Sequence, residues 1–159
     1  MMVDAGELDK SRILRYEDFE SRNIPVESGI EEATAALDYM PGESPLTFRA
    51  DLNGDGFEEL FVAPLNYRLC GTAGCPYMLV EGASKTLIGE FFGTVAITST
   101  KINGFPVIQA ISKRDLESTN LQIYVYDGAR YTIVGHALLE SKGMDAWRDT
   151  LEDSQKLKQ

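Results

Sequence analysis

An α+β fold, built as an antiparallel β-meander of about eight strands with a helix from the N-terminal half packed against it, is what this sequence predicts. Three observations carry that reading. One stretch near the start has apolar residues at helical spacing. From residue 46 onward the chain breaks into short apolar runs. Two pairs of those runs flank Asn103-Gly104 and Asp127-Gly128, dipeptides that favour tight hairpin turns.

Residues 1–25 are charged and mixed, and form a segment expected to be partly disordered, with Leu8, Ile13, Leu14 and Phe19 a weak amphipathic pattern. The main domain runs over 26–153. Its helix spans 28–40. Ser28 and Glu31 have the spacing of a capping box, Ile30, Ala33, Leu37 and Met40 form one apolar stripe, and Pro41-Gly42 stops the helix. Strands follow at 46–52, 60–65, 77–80, 86–92, 94–100, 105–111, 121–126 and 131–135. In 121–126, Leu121, Ile123 and Val125 alternate with Gln122, Tyr124 and Tyr126. The aliphatic side is expected on the core and the polar aromatic side outside. A second helix starts at about Met144, with Met144, Trp147 and Leu151 on one face, and 154–159 are a frayed tail.

A chain of 159 residues is about one domain, long enough for a real core. The net charge of −10 lies entirely in residues 1–60; the remainder is neutral. Such a field repels phosphate backbones and anionic lipid, which argues against nucleic acid and favours cations or a basic protein surface as partners. A solvated acidic face is the alternative. No run of about 18 apolar residues exists to span a membrane as a helix. The start is acidic and polar, unlike a secretory signal; an export leader removed before Met1-Met2 and a cytoplasmic start both fit it.

The loop Asp51-Leu52-Asn53-Gly54-Asp55-Gly56-Phe57-Glu58-Glu59 concentrates oxygen donors. Asp51, Asn53, Asp55 and Glu59 stand at positions 1, 3, 5 and 9, the Phe57 carbonyl at position 7, and Gly56 allows the sharp turn at position 6. Calcium is a hard cation that takes roughly six to eight oxygens. The competing reading is an acidic turn whose side chains bond their own backbone. Position 12 is Val62, inside an apolar run, so the loop joins strands and is not an EF-hand. On these residues it resembles the calcium loops of FG-GAP and related integrin-type repeats, with Glu59 where those have Asp. The resemblance implies one bound Ca²⁺. A single copy in a chain this short excludes a propeller.

Cys70 and Cys75 are the only cysteines, with Gly71 and Gly74 between them. A disulfide in an oxidising compartment, two free thiols, and a redox or metal-binding pair all remain open; zinc is disfavoured because His136 is the sole histidine. The metal loop followed by Cys-Gly-Thr-Ala-Gly-Cys is similar to a pattern in small exported bacterial proteins of unknown function, which implies a periplasmic or secreted location; cytoplasmic is the alternative. No catalytic constellation is present. His136 reads as a partly buried sheet-end residue. The expectation is therefore a calcium-stapled, non-enzymatic binding domain of the bacterial envelope. A secreted inhibitor or immunity-type protein, its acidic half covering a basic enzyme site, is the alternative, and a calcium-dependent hydrolase a weaker third.

Overall fold

The computed structural model describes residues 12–24, 28–65, 70, 74–113 and 118–140. Among them are nine strands in one sheet and one α-helix. The strands are β1 (Arg12–Ile13), β2 (Glu20–Ser21), β3 (Leu46–Ala50), β4 (Glu59–Ala63), β5 (Cys75–Val80), β6 (Leu87–Ile102), β7 (Phe105–Lys113), β8 (Ser118–Tyr126) and β9 (Tyr131–Glu140), and the helix is α1 (Ser28–Ala36). Strands β2 to β9 lie in sequence order, each antiparallel to the next, and β1 pairs with the far half of β6. The expected α+β meander is what is found. The second helix, from Met144, falls outside the described residues.

The N-terminal segment differs from expectation. From Arg12 on it belongs to the sheet: β1 and β2 bracket a 3₁₀ turn, Tyr16–Asp18, and Leu14 and Phe19 are buried in the main core. Short strands with apolar residues between them find partners that a weak helical pattern does not advertise.

Strand β4 reads Glu-Leu-Phe-Val-Ala and is buried throughout. The physical reason is cover on both faces. Phe61 and Ala63 enter the main core; Leu60 and Val62 meet Ile30, Ala33 and Leu37 of the α1 region together with Met78 and Val80 of β5. The helix ends earlier than Pro41-Gly42 suggests. Asp38 takes left-handed φ of 58°, its N–H bonds Ala35, and the Tyr39 N–H reaches back to Thr34 at 3.0 Å, a Schellman-type stop. Met40 therefore leaves the apolar stripe and is exposed.

The two runs at 86–92 and 94–100 are one strand of 16 residues. Gly93, at φ 116°, carries the chain between the half that pairs with β5 and the half that pairs with β7, so close to the Ile111 carbonyl that a Cβ has no room. Asn103 and Gly104, at φ 55° and 85°, make the tight turn that was expected. Asp127-Gly128 instead opens a four-residue connection between Tyr126 and Tyr131, with Asp127 Oδ1 accepting the N–H groups of Ala129 and Arg130. Those two bonds hold the Asp127 carboxyl below its ordinary range.

The facing of β8 is the reverse of expectation. Tyr124 and Tyr126 point into the main core, and Leu121, Ile123 and Val125 point away from it, half-buried. The core is aromatic: Phe91 meets the rings of Tyr124 and Tyr131 edge-on at 4.8 and 5.5 Å. Tyrosine is tolerated there because its hydroxyl finds a partner, as Tyr131 does at the Pro106 carbonyl, 2.7 Å away.

Candidate metal centre

The acidic loop is the connection between β3 and β4. The Ala50–Glu59 rung closes it, and Leu52, fully buried, pins it to the main core. Gly54 and Gly56 take φ of 76° and 89°, which only glycine adopts without strain and which turns successive N–H groups inward.

Those N–H groups converge on Asp51. Its Oδ1 accepts from Gly54 (2.9 Å) and Asp55 (3.2 Å), and its Oδ2 from Gly56 (2.9 Å). Asn53 Oδ1 accepts the Asp55 N–H at 3.3 Å, and Asp55 Oδ1 accepts the Phe57 N–H at 2.9 Å. Asp51, Asn53 and Asp55 thus each accept N–H groups of their own loop, as the reading of an acidic turn expects, and Asn53 Nδ2 donates to Asp55 Oδ2 at 3.3 Å. Among the described residues no group of three or more Asp, Glu, His or Cys side chains is gathered as a ready-made metal cage.

Glu59 is placed differently from the other loop acids. It is 0% exposed, and its two oxygens accept the N–H groups of Leu52 (2.7 Å) and Gly82 (3.1 Å). The carboxylate sits behind the loop and ties it to the turn after β5. Gly82 is obligatory here: a Cβ would collide with the Glu58 carbonyl. Burial, only partly offset by the two N–H bonds and reinforced by the charges of Asp55 and Asp51, pushes the Glu59 carboxyl up to about 7. The Glu59–Gly82 tie was not foreseen from the sequence; the apolar Leu52 within an acidic loop was the available signal that the loop folds onto the core.

The donor chemistry fits a hard cation. All donors are oxygen, and an ionised carboxylate offers about four lone-pair sites, an amide oxygen two. After the backbone bonds are counted, Asp51 Oδ2, Asn53 Oδ1 and Asp55 each retain acceptor capacity. Phe57 is exposed.

Cys70 and Cys75 are joined in a disulfide, with Cα atoms 4.1 Å apart. Cys75 opens β5 opposite Gly93 and is buried in the main core. His136 is exposed on the edge strand β9, across from Gln122, instead of being partly buried. No described helix is long and apolar enough to cross a membrane. No protein family, curated protein or solved structure matches the chain.

Proposed function

We propose that this chain is a non-enzymatic binding domain of the bacterial envelope, stapled by one Ca²⁺ in the β3–β4 loop. Asp51, Asn53 and Asp55 hold the ion with side-chain oxygens and Phe57 with its carbonyl. Glu59 adds negative charge from the buried side. The observation that supports this reading best is the Asp51 carboxylate: three successive backbone N–H groups organise it, and it still has an acceptor site to offer. Three carboxylates on one short loop repel each other, and a divalent cation relieves that repulsion. The Cys70–Cys75 disulfide supports an oxidising compartment.

Melting of the protein in chelator and in millimolar calcium tests the proposal. Calcium is expected to raise the melting temperature. Asp51→Ala and Asp55→Ala are expected to abolish the rise, and Glu31→Ala, on the helix, to leave it intact. Superimposed curves together with no binding heat in calorimetry overturn the reading.

The charge imbalance of residues 1–60 favours a second reading, an inhibitor whose acidic half covers a basic enzyme site. Salt-sensitive capture of one basic enzyme from envelope extract selects it.

A further inference from the structure

The strand order ends at β2 on one side and at β9 on the other. An edge strand offers N–H and C=O groups to any second strand, and shortness, charge or proline usually blunts it. The two edges differ in this respect. Strand β2 is two residues long and carries Glu20, which is ion-paired to Arg22 at 3.0 Å. Strand β9 is ten residues long, and Tyr131–Leu139 contains no Asp, Glu, Lys, Arg or Pro. Among the described residues no strand pairs with its outer side.

The apolar side chains of β9 stand in water. Ile133 is 53% exposed, Val134 62% and Leu138 52%. A bulge leaves Val134 with no opposite residue on β8, because Tyr124 pairs with Ile133 and Ile123 with Gly135. Beyond the bulge the strand is regular: Gly135–Glu140 faces Ser118–Ile123 rung by rung.

We propose that this regular run is a homodimer interface, in which β9 pairs antiparallel with β9 of a second copy about a two-fold axis at Ala137. Two observations select a second copy as the occupant. The run is self-complementary. With Ala137 opposite itself, Gly135 falls opposite Leu139 and His136 opposite Leu138 of the second copy, so each leucine meets a smaller side chain or a flat ring. The charge distribution agrees. The net charge of −10 lies in residues 1–60, whose described part includes β2, β3 and the acidic loop, at the opposite end of the strand order from β9. Joining two copies at β9 keeps the acidic halves apart, whereas joining them at β2 sets them against each other. The resulting sheet is continuous through both copies and closed by symmetry, with only the guarded β2 edges left at its ends.

Sedimentation velocity of the full chain over the micromolar range tests the proposal. The unmutated protein is expected to be a dimer that dissociates on dilution. Ala137 is exposed, and Ala137→Lys sets two like charges opposite each other on the axis. That variant should be a monomer with unchanged circular dichroism, while Met40→Lys, at an exposed position on the helix side, should remain a dimer. Ala137→Cys should give a disulfide-linked dimer on mild oxidation, with the bridge mapped to position 137, because directly opposed residues lie about 4.5–5.5 Å apart between Cα atoms. An unmutated protein that stays monomeric at sub-millimolar concentration overturns the proposal. So does a dimer that survives Ala137→Lys, which places the interface elsewhere, and so does the absence of a cross-link in Ala137→Cys.

Discussion

The Glu59 carboxylate accepts the Gly82 N–H at 3.1 Å across 23 residues of chain, and with its other oxygen takes the Leu52 N–H inside the acidic loop. One buried acid thereby holds the loop to the turn that follows β5. The arrangement makes loop, core and protonation interdependent.

The first prediction is a pH dependence measured in chelator. The Glu59 carboxyl titrates at about 7 in the folded protein against an ordinary value of 4.5. A raised acid contributes stability that is fully present below 4.5 and lost as pH rises through about 7. Urea unfolding should therefore show stability falling across that window by on the order of 3 kcal/mol. Glu59→Gln, of matching size, should flatten the slope. A wild-type profile level from pH 4.5 to 7.5 contradicts the assignment.

The second prediction concerns calcium in the same assay. If the loop holds the ion, saturating Ca²⁺ at neutral pH should restore the stability that ionised Glu59 removes. The linkage gain is about 2.7 kcal/mol when free ion exceeds its dissociation constant a hundredfold. The affinity expected without a bidentate twelfth position is on the order of 0.1–1 mM, as in extracellular modules. Magnesium, which demands a tighter octahedral shell, should substitute poorly.

Leu37 is 2% exposed between the sheet and α1, among Val62, Met78 and Val80. Leu37→Asp should cost on the order of 3 kcal/mol or more through lost burial and an unpaired buried charge. Denaturant titration reads it directly, and an equally stable variant refutes the packing of the helix.

Tyr39 joins three segments through its hydroxyl, which donates to the Ala63 carbonyl at 2.6 Å and accepts the Leu46 N–H at 2.9 Å. Burial raises its pKa above the ordinary value. Tyr39→Phe leaves both backbone groups without that partner and should cost roughly 1–3 kcal/mol. A change within error would show that water replaces the hydroxyl.

The disulfide closes a short loop at the start of β5. Cys70→Ser with Cys75→Ser should lower stability by about 2 kcal/mol on the chain-entropy account. Intact mass in the non-reduced state should fall short of the reduced state by two hydrogens, and full alkylation without reductant contradicts the bond.

What the residues determined by themselves was local. Helical spacing at Ile30, Ala33 and Leu37, positive φ at Asn103-Gly104, and the alternation along β8 all depend on neighbours within a few positions, and each was legible. So was the sharp turn of the acidic loop at Gly56, whose φ of 89° is open to glycine without strain. The tertiary structure decided what depends on distant partners. Alternation defines two faces of β8 but not which of them meets Phe91, and packing into the aromatic core chose the tyrosines. It also decided that Leu14 and Phe19 complete the core, that Gly93 joins two apolar runs into one strand, and that Glu59 turns inward to Leu52 and Gly82. Each of these is a contact between segments far apart in the chain, and its energy exists only after the strands between them have paired.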